Sequence, residues 1–276
     1  MNGLAPTIEE SLDLLARGER AGCTHALVGF PRAAKADTNE DVEQYFRILS
    51  DATNLGLVLY ATPNPRLRHL DPSGIPIRAF ERVADAPNVI AMKLTQTMNP
   101  AIAFTICERL AEKLLIGPAD LDSLPLLAKQ YAVQWTGQWI VEAVQSPDKP
   151  YIVDFMEALT ERRFDRAMEL YWQMEPAYRL VHRLQAPLLA KGGHPWAHMR
   201  YFQWCVGGNG GLERDPKQRP DQVSVLDAAG RALIRDTYAS IGITVDEPDD
   251  DVFVVGRAAW AKGIRRADLS ETPLYS

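Results

Sequence analysis

Long apolar runs are missing from this chain. No stretch of its 276 residues approaches the length of a membrane span, so no segment reads as a transmembrane helix. The opening "MNGLAPTIEESLDLL" lacks a basic start and a continuous apolar stretch, which argues against a secretory leader and sets a cytoplasmic location as the expectation. Cysteine is scarce: Cys23, Cys107 and Cys205 are odd in number and widely spaced. That suits reduced thiols, and none has zinc-ligand spacing. Positive charge is in deficit too, with a formal net charge of -6. Electrostatics therefore give no reason to expect nucleic acid or an anionic membrane as partner. Arg162, Arg163 and Arg166 are spaced like the solvated face of a helix. What the chain does have is 46% hydrophobic residues, enough to bury the core of one large domain or two small ones.

Thr7 with Glu10 predicts a capping box opening a helix that runs to about Ala21. Strands are expected near residues 25–30, 57–62, 88–94, 114–117 and 132–136, alternating with helical segments. Alternation of this kind argues for parallel βαβ units. After residue 148 the pattern turns helical, through "PYIVDFMEALTERRF", "DRAMELYWQMEPAYRLVHRLQ" and "VLDAAGRALIRDTYASIG". Leu170, Met174 and Ala177, flanked by Tyr171 and Tyr178, are spaced for helix packing. The intervening Gly/Pro-rich segment contains "VGGNGG", residues 206–211, which reads as a turn because no convincing strand precedes it.

The strand "NVIAMKL" raises a chemical question. Period-2 alternation puts Val89, Ala91 and Lys93 on one face and Ile90, Met92 and Leu94 on the other. Lysines commonly guard solvated sheet edges. A near-continuous apolar run, however, belongs to a parallel strand buried on both faces. On such a strand Lys93 is a desolvated amine with a lowered pKa, ready to attack a carbonyl. Tyr60, in "LYATP", shares a face with Val58 and Thr62. It can be a core aromatic, or a phenol that moves protons.

Three segments in order, "LYATP", "VIAMKL" and "VQWTG", resemble the pyruvate-dependent class I aldolases related to dihydrodipicolinate synthase and N-acetylneuraminate lyase. The resemblance implies a (β/α)8 TIM barrel with a C-terminal helical extension, and the catalytic pair Tyr60 and Lys93. Ala61 after the tyrosine and the stretch Gln134-Trp135-Thr136-Gly137 are closer to the hydratase-aldolases acting on aromatic ylidene-pyruvates. Two departures stand out. Phe30-Pro31-Arg32-Ala33 stands where synthases and lyases have tyrosines after the proline ending strand four, and Arg66 is displaced by one residue from the synthase's arginine just beyond the strand-five motif. "GLAPTIEES" resembles the end of strand three and the helix after it, so the five expected strands would be strands four to eight of an incomplete barrel. On this reading residues 1–147 form a partial barrel and 148–276 the helical region. The family's Gly-Thr-Thr-Gly-Glu-like turn on strand two, which holds the pyruvate carboxylate, has no counterpart.

The resemblance implies a covalent imine on Lys93 with pyruvate or a substituted pyruvate, and no separate cofactor or metal. Trp135 can line the pocket for an aryl group or simply pack its strand. Thr62 and Thr136 can bind the carboxylate or an activated water, or cap strand ends. Gly137 belongs to the same substrate-binding stretch. Arg32 can clamp a carboxylate or lie solvated on its loop. His194 and His198 have i,i+4 spacing, but Pro195 and neighbouring glycines disfavour a metal-binding helix, and no acidic third ligand accompanies them. "VDEPDDD" lacks an EF-hand pattern and reads as a solvated acidic surface. The expected activity is retro-aldol cleavage of a substituted ylidene-pyruvate. Synthase-like condensation and dehydration, or an inactive truncated subunit, are the alternatives. A homo-oligomer is expected, with a complementing chain as one way to supply missing strands.

Overall fold

The computed structural model describes residues 5–32, 34–95, 99–191, 193, 196–211, 220–222, 226–245 and 249–269. Two compact units divide the chain: residues 1–138 with 158–164, and residues 139–157 with 165–276.

In the first unit strands and helices alternate. Thr7 caps α1 (Ile8–Arg20) by accepting from the Glu10 amide at 3.2 Å, the Thr7 half of the expected box. After β1 (His25–Val28), α2 (Asn39–Asp51) opens on a reciprocal box in which Thr38 and Asp41 accept from each other's amides. Then follow β2 (Gly56–Ala61), α3 (Ile77–Val83), β3 (Val89–Leu94), α4 (Pro100–Leu110), β4 (Leu115–Pro118) and α5 (Leu124–Gln130). The four strands form one parallel sheet in the order β1-β2-β3-β4. Parallel neighbours need crossover connections, and the helices supply them. Ala26, Val28, Leu57, Leu59, Ala61, Met92, Leu94 and Ile116 are buried, as are Phe46, Leu49, Phe80 and Ile106 of the helices. Apolar burial of this kind is the main stabilising term.

Asn88 ties β3 to the preceding βα unit. Its side-chain amide donates to the carbonyls of Ser50 and Thr53, each at 3.0 Å. Between β2 and β3 the register is irregular: Leu57 pairs with Val89, but Val58 pairs with Ala91, so Ile90 is the extra residue. This corrects the face assignment of simple alternation. Val89 belongs with Leu57 on the helix-covered side. The Ile90 side chain lies 2.8 Å from where a Cβ on Gly56 would sit, on the side of Val58 and Tyr60.

The strand expected at 132–136 does not form. Residues 135–138 instead run along β4, held mainly by side chains. Trp135 Nε1 donates to Leu115 O at 3.0 Å, Thr136 Oγ1 to Pro118 O at 2.7 Å and Gln138 Nε2 to Ala119 O at 2.6 Å. One backbone bond, Gly137 N to Pro118 O at 3.0 Å, accompanies them. Three side-chain tethers replace a ladder, which is why a pattern of apolar alternation misreads the segment.

The second unit is helical among its described residues. α6 (Tyr151–Thr160) begins in it and ends in the first unit. α7 (Phe164–Leu189), α8 (Trp196–Cys205), α9 (Ala228–Ser240), α10 (Asp250–Val255) and α11 (Arg257–Ala261) follow. Leu170, Tyr171, Met174, Ala177 and Tyr178 of α7 are buried, as their spacing indicated. The "VGGNGG" segment is a turn; a Cβ on Gly210, at φ +70, would lie 2.9 Å from the Phe253 carbonyl. Of the expected acidic surface, Asp250 pairs with Arg231 and Asp251 with Arg266, while 246–248 lie outside the described residues.

Candidate active site

The C-terminal ends of β2, β3 and β4 bring one set of polar and small residues to the side of the sheet opposite the helix-covered core. Tyr60 pairs with Lys93 across the β2–β3 ladder, and Lys93 pairs with Gly117 across β3–β4. Lys93 Nζ lies 5.7 Å from the centroid of the Tyr60 ring. Both residues are half-buried. Burial lowers the Lys93 pKa from its ordinary value, because desolvation disfavours the ammonium. No charged neighbour among the described residues offsets that effect. An amine in this setting is closer to its nucleophilic, neutral form.

Two glycines make room for it. A Cβ on Gly137 would sit 2.7 Å from Lys93 Cγ and 3.1 Å from Cε. The lysine stem therefore lies against bare backbone. A Cβ on Gly117 would sit 2.3 Å from Trp135 Cε2, so the indole covers that glycine. Glycine inside a strand often marks such close approach. Trp135 thus both packs on β4 and stands beside Lys93's ladder partner, so its packing role and its place by the site coexist.

Thr136 is in the same stretch, but its hydroxyl donates to Pro118 O and accepts from Gln138 N, which makes it a tether. Thr62 lies two residues past Tyr60, and its buried Oγ1 has no hydrogen-bond partner among the described residues. Arg32 is exposed on the loop after β1, and no described contact brings it to Lys93. Sequence reasoning overlooked Thr95 and Gly117. Thr95 stands two residues past Lys93, and its Oγ1 is also buried without a described partner; counting by two from the lysine would have found it.

Other candidates do not assemble. His194 lies outside the described residues. His198 is buried, and burial pushes its imidazole down to about 4 despite the opposing carboxylate of Asp227. No group of three or more His, Cys, Asp or Glu among the described residues could hold a metal ion. Cys23, Cys107 and Cys205 form no disulfide with one another. No described helix is long and apolar enough to cross a membrane.

Comparison with known proteins points to the same family as the motifs. No family model matches the chain. It is 25% identical over 245 residues to the 4-hydroxy-tetrahydrodipicolinate synthase of Dehalococcoides mccartyi, covering 88% of this chain and 72% of the synthase. Its fold is similar to a monomeric dihydrodipicolinate synthase variant, with a TM-score of 0.66, 17% identity, and coverage of 88% and 73%. It is also similar to the chloride-inhibited dihydrodipicolinate synthase of Acinetobacter baumannii complexed with pyruvate, with a TM-score of 0.63, 18% identity, and coverage of 88% and 74%. The chain's homologues and structural neighbours are dihydrodipicolinate synthase family proteins.

Proposed function

We propose that this chain is a pyruvate-dependent class I lyase that holds a 2-oxo acid as an imine on Lys93. The observation that carries the reading is the pairing of a desolvated Lys93 with Tyr60 across one rung of a parallel ladder. The neutral amine adds to the keto carbon, and loss of water leaves an iminium that withdraws electrons from the adjacent carbon. Tyr60, whose ring is next to the amine, is placed to carry protons during these steps. The iminium is itself the electron sink, so the reaction as written needs no metal or organic cofactor.

For the substrate we assign a substituted ylidene-pyruvate bearing an aryl group beside Trp135. Water adds across the carbon-carbon double bond to give the 4-hydroxy compound. Loss of its hydroxyl proton then breaks the bond between carbons 3 and 4. The electron pair passes into the iminium, the aldehyde leaves, and protonation followed by hydrolysis returns pyruvate and Lys93. Ala61 after Tyr60 and the Gln134–Gly137 stretch support this branch. A second reading, condensation of pyruvate with an aldehyde followed by dehydration, is favoured by the Dehalococcoides synthase relative.

In both readings residues 1–147 are the barrel portion, strands four to eight of the family pattern with a side-chain-tethered segment in place of the last, and 148–276 the helical extension. The open β1 edge favours association with a second copy or a complementing chain; a well-folded monomer in light scattering would count against it. The decisive test is borohydride trapping with pyruvate, followed by peptide mass spectrometry. An adduct on Lys93, absent in Lys93→Ala, is expected. A folded protein without that adduct, beside an active aldolase control, would instead favour an inactive subunit.

A further inference from the structure

We propose that Thr62 and Thr95 together form the seat of the substrate carboxylate, an assignment that rests on the imine reading of Lys93. The ladder between β2 and β3 ends at the Ala61–Leu94 pair, and the Thr95 amide continues it by donating to Ala61 O at 2.8 Å. Thr62 and Thr95 are thus the next rung but one after Tyr60 and Lys93, on the same side by strand alternation. Both hydroxyl oxygens are buried, and neither has a hydrogen-bond partner among the described residues.

Two orphaned hydroxyls on neighbouring strands call for an explanation. An unpartnered buried polar group is destabilising, and native proteins keep few of them. A ligand that accepts two hydrogen bonds removes both deficits at once. A carboxylate has two acceptor oxygens and no donor when ionised, which matches a pair of hydroxyl donors. The keto oxygen of the substrate is a poorer match, because it leaves as water when the imine forms. The carboxylate stays attached one bond from the imine carbon throughout. Thr136 is already engaged by backbone groups, and Arg32 is exposed on its loop, so neither competes for this role.

The test compares wild type with Thr62→Val, Thr95→Val and the double variant, which keep shape and remove the hydroxyls. Thr→Ser at both sites, which keeps the donors, is the control for fold. Borohydride trapping on Lys93 is measured with pyruvate and with methyl pyruvate, and binding of oxamate, which has a carboxylate but forms no imine, is measured by calorimetry. The preference for pyruvate over its ester and the affinity for oxamate should each fall at least about tenfold per hydroxyl removed, while the serine variants retain both. An unchanged preference and unchanged oxamate affinity in the double valine variant would overturn the threonine assignment and leave the Lys93 imine standing. Conversely, oxamate binding that needs the threonines, in a wild type that forms no adduct, would sink the imine reading and keep the carboxylate seat. Failure of oxamate to bind wild type would also refute the seat.

Discussion

A methyl group at position 137 is the smallest change that reaches Lys93 without altering its chemistry. In Gly137→Ala the new Cβ would lie 2.7 Å from Lys93 Cγ, 3.1 Å from Lys93 Cε and 3.1 Å from Gly117 O. Carbon atoms pack best at about 3.5–4.0 Å, so the overlap with Cγ is roughly 1 Å. The Gly117 carbonyl belongs to a paired strand and has little freedom, which leaves the lysine stem to swing away. Gly137 is not among the residues with positive φ, so alanine meets steric crowding there and no backbone strain. Forcing a side chain off its rotamer costs about 0.5–1.5 kcal/mol, and overpacking a site typically costs about 1–3 kcal/mol in all. That loss should leave a domain of this size folded. The amine, however, would move by roughly 1 Å relative to Tyr60, and misplacements of that order lower reaction rates about 100-fold. The assay is the rate of borohydride trapping with pyruvate, run beside urea unfolding. A variant that traps pyruvate at the wild-type rate would refute the role given to the glycine, whatever its stability.

Gly117→Ala places its Cβ 2.3 Å from the Trp135 indole and must expel it; a stability loss of about 3 kcal/mol and increased exposure of Trp135 to fluorescence quenchers are expected. Asn88→Ala removes donors to the Ser50 and Thr53 carbonyls and should lower the urea midpoint by the equivalent of about 2–4 kcal/mol without changing the fold. His198 makes stability fall as pH drops: its folded pKa of about 4 lies below the ordinary 6.5, so the unfolded chain binds the proton first. The contribution is complete above pH 6.5 and is lost toward about 4, at roughly 1.4 kcal/mol per unit and at most about 3.5 kcal/mol in all. His198→Leu should flatten that slope in unfolding midpoints taken between pH 7 and 5; an unaltered slope would assign it to other groups.

The alternation of strands and helices was legible because each βα unit carries its own signals. Thr7 before α1 and the apolar strands β2 and β3 are local features that need no distant partner to be read. Residues 132–136 misled because a short run containing Val133, Trp135 and Thr136 has strand-like composition, while the attachment of 135–138 depends on acceptors in Leu115, Pro118 and Ala119. Lys93 could be singled out from its apolar neighbours, and the structure puts Tyr60 beside it. Gly117 and Gly137 could not be weighed from sequence, since their meaning lies in which side chains cross them. The face of Val89 was misjudged for a similar reason: a register shift belongs to two strands and is written in neither alone.

That shift governs the phase between the two strands. Were Ile90 absorbed into regular pairing, Val58 would face it, Tyr60 would meet Met92, and Lys93 would come opposite Ala61, a residue of the covered side. The encounter of phenol and amine is thus timed by an extra residue three positions upstream of the lysine, at the far end of the strand. Deleting Ile90 would leave Val58 opposite Ala91 and Tyr60 opposite Lys93 in regular pairing, so the pair depends on the bulge only because Ile90 is present. How the entrance of β3 accommodates its extra residue is therefore as consequential for this site as the side chains at its mouth.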